Sequence, residues 1–180
     1  MKKYIMHHIN VVITALRILL AVAAIIAVLN IGMGLFALIK NDHGVARSFL
    51  AQTFKVPDFT INEEVGIAAT FGVLYGALLF YLIYGIKHFY RCLVKIKSGK
   101  MFYNDQGEDF RKAGASIIIF AKTKYLLYCC TGAVVFFDIT MFFKQILPFL
   151  GVYLAGKLLY LMAYIAEKGE FIQEENELTI

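Results

Sequence analysis

The side chains in this 180-residue chain that could do chemistry are few, and most sit inside apolar runs. Lys157 interrupts the stretch LPFLGVYLAGKLLYLMAYIA, Leu147–Ala166, near its middle. A charge in such a place is costly and by default marks a function. Asn30, Tyr75, Thr131, Asp138 and Tyr153 are the other polar residues in comparable surroundings. Together they could hold an ion or relay a proton. The plainer reading is a buried Lys157–Asp138 pair, with Asn30 and Tyr75 completing its hydrogen bonds. Intramembrane polar contacts are worth about 0.6–2 kcal/mol each, so such a pair orients helices more than it stabilises them. The structural reading is preferred.

Other chemistries find little support. The apolar runs hold no paired carboxylates, and the chain has no His-Glu-x-x-His, serine elbow or Gly-rich phosphate loop. His7 and His8 adjoin, and neighbours on a helix diverge. His43 and His88 fall on opposite sides of the membrane in the topology derived below. Cys92, Cys129 and Cys130 lack metal-ligand spacing and read as small apolar residues. No catalytic residue, metal or cofactor is expected, and the chain reads as non-enzymatic.

The elements that must position these residues follow from composition. Hydrophobic residues make up 60% of the chain, charged ones 17%, and mean hydropathy is +0.69. Water-soluble domains are about 45–50% apolar and about 25% charged, so the excess faces lipid. With no Trp, the interfacial aromatics must come from 11 Tyr and 16 Phe. The patterning gives one integral-membrane domain over 1–180, with spans at 18–39, 65–86, 125–143 and 147–166. The first is expected to be an uncleaved span rather than a signal peptide.

An outer loop, 41–64, contains a short surface helix over Val45–Phe54 and a capping box at Thr60 and Glu63. A middle loop, 87–112, opens with Lys87, Arg91 and Lys95 on one helical face. It is broken at Ser98-Gly99, and Asn104 or Asp105 caps the next helix. A turn around Lys144–Pro148 starts the last helix, with Pro148 at its first position. The tail, 167–180, is acidic. Lys and Arg number seven from Lys87 to Lys112, against Arg47 and Lys55 in the outer loop and Lys144 in the last turn. That asymmetry puts the middle loop and both chain ends in the cytoplasm. The predicted fold is an all-α membrane protein, a four-transmembrane-helix bundle, N-in/C-in, with cytoplasmic helix extensions.

Helical rise turns position into depth, at about 1.5 Å per residue across about 30 Å of hydrocarbon. Counted from outer ends near Lys40, Val65, Phe143 and Leu147, Arg17, Lys87, Lys122, Lys124 and Glu167 fall roughly 28–35 Å down, at the inner headgroups. Asn30, Tyr75 and Lys157 fall about 15 Å in, and Asp138 about 7 Å. Small residues recur at Ala68, Gly72 and Gly76, a spacing that lets helices approach closely.

Two stretches carry a resemblance. The loop GKMFYNDQGEDFRKAG presents Gly99, Phe102, Asn104, Phe110, Arg111 and Gly114; the tail AEKGEFIQEENELTI presents Gly169, Glu174, Glu175, Leu178, Thr179 and Ile180. In both, and in its four spans and length, the chain resembles a bacterial family known as domain of unknown function 2975. The resemblance implies an inner-membrane protein, with members often encoded beside a small helix-turn-helix regulator, and it implies no catalytic residues. Lys157 and the long outer loop have no counterpart in the family pattern.

The expected function is therefore a sensory or interaction protein of the inner membrane. It would act with a cytosolic partner such as that regulator, through Gly99, Phe102, Asn104, Arg111, Glu174, Glu175, Leu178, Thr179 and Ile180. Leu178–Ile180 would plug between the cytoplasmic helix extensions, and the tail's carboxylates would face the loop's basic residues. The alternative is a small transporter or channel that forms a homo-oligomer around Asn30, Asp138 and Lys157. Direct nucleic-acid binding has no motif behind it, since basic residues at an inner face answer to topology and anionic lipid.

Overall fold

The computed structural model describes residues 2–55, 64–98, 103 and 105–178, with side chains described from 6 to 172 within those ranges. Within them the chain is all-α: α1 (Lys2–Lys40), α2 (His43–Phe54), α3 (Glu64–Lys97), α4 (Gln106–Val135) and α5 (Met141–Leu178). Four of these, all but α2, are long and apolar enough to cross a membrane. The chain is thus a multi-pass membrane protein.

Local chemistry sets the helix ends. Asn41 takes φ 50°, and its N–H and that of Asp42 reach back to the carbonyls of Leu38 and Ala37. This paired return closes α1, with Asn in the left-handed position usually given to Gly. Asp42 at once caps α2, its Oδ1 accepting from Val45 N at 3.0 Å. The short helix starts two residues before the predicted Val45. The capping box at Thr60 and Glu63 lies outside the described residues.

The predicted third span, 125–143, is the largest departure. α4 stops at Val135, and a turn over 136–140 leads into α5 at Met141. Phe137 takes φ 52° there, and Asp138 N donates to Gly132 O at 2.9 Å. Asp138 Oδ1 then accepts from Thr140 N at 3.0 Å and from its hydroxyl, so one carboxylate organises the reversal. Because Phe136, Phe137 and Ile139 are apolar, hydropathy runs through this turn unbroken. Pro148 accordingly lies inside α5, not at its first position. Neighbouring groups can re-satisfy the carbonyl that a proline frees in a membrane helix.

The same four long helices contribute to two compact units, 1–22 with 81–119 and 151–180, and 23–80 with 120–150. In the unit holding α2, that helix buries Ala46, Leu50 and Phe54, one turn apart, against Ala37, Val65, Ala68, Phe71 and Met141. Rings of Phe54, Phe71, Tyr75 and Tyr128 meet at centroid distances of 5.0–5.8 Å. Glu64, at the head of α3, is 1% exposed, and its Oε1 accepts from Arg47 Nη2 at 2.8 Å.

In this unit the predicted small-residue stripe makes the contact between α1 and α3. A Cβ on Gly72 would lie 2.5 Å from the Asn30 carbonyl oxygen; one on Gly76 would lie 2.4 Å from Ile31. Backbone-to-backbone approach of this kind replaces the hydrophobic driving force that lipid removes. Gly72→Ala is therefore expected to cost about 1–3 kcal/mol, as over-packing does. Gly66→Ala, whose Cβ meets nothing within 4 Å, should be neutral or slightly stabilising. Thermal unfolding of both variants in detergent, followed by circular dichroism, checks the contrast.

Candidate functional site

The other unit contains a polar centre assembled where α3 gives way to α4. His88 and Cys92 lie one turn apart on α3 and share a face. Asp109 is in the first turn of α4, where a carboxylate suits the helix dipole. His88 Nδ1 stands 2.7 Å from Asp109 Oδ1, with both residues buried. An ionised carboxylate can only accept, so the ring proton sits on Nδ1.

Tyr103, in the connection between the helices, donates to Asp109 Oδ2 at 3.0 Å and lies 3.2 Å from Cys92 Sγ. Arg91 Nη1 adds a charge 3.7 Å from Oδ1, and Lys95 Nζ sits 3.8 Å from the Tyr103 ring centroid. Burial, and then the hydrogen bond to the Cys92 thiol, push the Tyr103 phenol well above its ordinary range. It stays a neutral donor. Cys92, with no exposed surface, packs with Phe110, Ala163 and Ala166. Both Asp109 oxygens are taken and the thiol is closed off, so the arrangement fastens α4 to α3 rather than presenting a reactive group. No cluster of three or more metal-type ligands occurs among the described residues.

α5 completes this centre. Glu167 forms an ion pair with Arg111, and Glu170 Oε1 accepts from Gln106 N at 3.2 Å, at the start of α4. The first two acidic residues of the predicted tail therefore do face the loop side, from a helix that continues to Leu178. Glu174, Glu175 and Leu178 belong to its last turns, with side chains outside the described residues. Gly99, Phe102, Asn104, Thr179 and Ile180 lie wholly outside them, as does the predicted Leu178–Ile180 plug.

Each of the predicted intramembrane residues has its own local surroundings. Asn30 Nδ2 donates to Ile26 O at 2.8 Å on its own helix, beside a cavity of about 300 Å³ lined by Ser48, Gln52 and Thr53. Tyr75 stacks on Phe71 and meets the Tyr128 ring edge-on. Thr131 lines a groove of about 520 Å³ with Thr70 and Cys130. Asp138 pairs with Lys144 Nζ at 3.0 Å. Its two bonds from Thr140, and then that ammonium, hold the Asp138 carboxyl below the usual carboxylate range. Lys157 is exposed, its Nζ 5.6 Å from the centroid of the Tyr153 ring.

Moving the turn to 136–140 also changes the depths. Counted from Met141, Lys157 lies about 24 Å along α5, within reach by snorkelling of the headgroups at the face opposite the 136–140 turn. Counted back from Val135, Lys124 lies only about 16 Å along α4 and becomes the mid-span cation. It is half-buried, with Nζ 5.6 Å from the Tyr128 ring and 6.0 Å from Phe120.

In the sequence His88 and Cys92 stand at i, i+4 and an aspartate follows in the first turn of the next helix, but Asp109 was not singled out from the sequence, and nothing in these types or spacings shows that the three meet. Comparison of the chain with protein-family models, with curated proteins and with solved structures finds no match in any of the three.

Two outcomes test these assignments. Asp109→Ala orphans the donors of His88 and Tyr103 and should cost about 2–4 kcal/mol. It should also speed maleimide labelling of Cys92 several-fold in a background lacking Cys129 and Cys130; a thiol that stays closed would contradict the fastening role. In double-mutant cycles of thermal stability, Asp138→Ala should couple to Lys144→Ala, and strictly additive losses would contradict that pair.

Proposed function

We propose that this chain is a non-enzymatic sensory or interaction protein of the bacterial inner membrane. Its built polar head, at the α3–α4 connection and the end of α5, engages a cytosolic partner of the small helix-turn-helix regulator kind. The observation that carries this reading is surplus helix with specific construction. α3 has 34 residues and α5 has 38, where about 20 cross the hydrocarbon. The surplus is ordered by His88–Asp109, Arg111–Glu167 and the Glu170 contact to Gln106.

A chain that needed only to span would have no use for this layer. The lysine and arginine bias of 87–112 supports a cytoplasmic position, and the loop and tail resemblance supports the regulator as partner. The motion available to such a sensor is a shift of α5 against the start of α4, where two glutamates make the contact.

A pull-down tests the reading. The purified protein in detergent should retain a co-expressed small helix-turn-helix regulator of the kind encoded beside members of the resembled family. Arg111→Glu with Lys112→Glu should weaken that binding roughly tenfold, the loss of one or two charged contacts. A regulator that fails to bind, together with ion flux in proteoliposomes above that of empty vesicles, would overturn the proposal in favour of transport.

A further inference from the structure

The arginines of this chain are not treated alike. Arg47 meets Glu64, Arg91 meets Asp109 and Arg111 meets Glu167. Arg17, on α1, has no carboxylate within ion-pair distance among the described residues. Instead its Nε donates to the hydroxyl of Tyr90 at 2.9 Å, and its guanidinium carbon lies 5.6 Å from the centre of that ring. The side chain is exposed yet held by a hydrogen bond and a cation–π contact. Using Nε in this way leaves the two terminal nitrogens of the fork free, in the planar geometry that matches a phosphate.

Position narrows the ligand. Arg17 lies about 35 Å along α1 from Lys40, and Lys87 about 35 Å along α3 from Glu64. Both counts end just past about 30 Å of hydrocarbon, at the level of lipid phosphates. Lys87 precedes Tyr90 by three residues, on the same side of α3, and is exposed with no ion pair among the described residues. On α1, exposed Ala21, Ile25 and Val28 continue from Arg17 toward Lys40 on the same side of the helix, offering an apolar path on the hydrocarbon side. Two cations at phosphate depth above an apolar track are the parts of a phospholipid site.

We propose that Arg17, oriented by Tyr90 and assisted by Lys87, binds the phosphodiester of an anionic phospholipid at one membrane face. Arg17 supplies the bidentate fork, Tyr90 fixes its plane, and Lys87 adds the second charge that favours an anionic over a zwitterionic lipid. The site does not depend on any cytosolic partner.

Native mass spectrometry of the full-length protein, titrated with phosphatidylglycerol or with phosphatidylcholine of the same chains, tests it. Wild type should bind phosphatidylglycerol preferentially. Arg17→Gln should weaken that binding roughly tenfold and Tyr90→Phe roughly threefold, the losses expected for a charged and a neutral hydrogen bond. Lys55→Gln, which removes one exposed charge elsewhere, should leave it unchanged. Equal binding of the two lipids, or wild-type affinity in Arg17→Gln, would overturn the proposal. Displacement of the lipid by millimolar inorganic phosphate would make this a free-anion site and also overturn it. Should Arg17→Gln lose its helical circular dichroism, Tyr90→Phe, which keeps the ring and the charge, decides the matter on the same readout.

Discussion

About 30 Å of hydrocarbon can be crossed by about 20 helical residues, and no charge or unpaired backbone group is welcome within it. α1, α3, α4 and α5 contain 39, 34, 30 and 38 residues. Every one of them outlasts the layer by several turns. The mismatch between helix length and membrane thickness governs the rest, because it decides which residues may be polar and which must find partners inside the protein. Where the helices are inside lipid, small residues bring backbones together at Gly34, Gly72 and Gly76. Where they run past it, carboxylates do the fastening.

Cations near the layer follow a consistent pattern. Arg17 lies against Tyr90, Lys124 against Tyr128, Lys157 against Tyr153 and Lys168 against Tyr164. A ring face attracts a cation without needing a second desolvated charge, and the attraction strengthens where water is scarce. In a chain without tryptophan this falls to tyrosine. Acids are used differently. Glu64 and Asp109 are buried with arginine and histidine partners, and Asp138 holds a turn together. These ring-held cations address the bilayer, while the acids, with the arginines and lysines that pair with them, address the fold.

The sequence made some of this legible and hid the rest for physical reasons. Four long apolar helices, the short α2 and the Ala68–Gly72–Gly76 stripe are readable because hydropathy and residue size act locally. The α4–α5 turn was not, since Phe136, Phe137 and Ile139 look like span residues and only Asp138 and Thr140 betray the reversal. Ending the third span at 143 rather than 135 and starting the fourth at 147 rather than 141 places Lys157 at mid-membrane and hides Lys124, whose neighbours are aromatic. The Lys157–Asp138 pair was plausible by depth alone. In the fold the Asp138 carboxylate is held by Lys144, six residues away. His88, Cys92 and Asp109 are visible by type, but no helical period encodes that α3 and α4 bring them together.

What the molecule presents to its surroundings depends on the side to which the polar head projects. Labelling sealed vesicles with a membrane-impermeant maleimide tests this most directly, using Ser98→Cys and Gln52→Cys singly in a background with Cys92, Cys129 and Cys130 replaced by alanine. A cytoplasmic head predicts that Ser98→Cys labels only in inverted vesicles and Gln52→Cys only in right-side-out ones. Labelling of Ser98→Cys in sealed right-side-out vesicles, or of both positions from one side, would contradict the account.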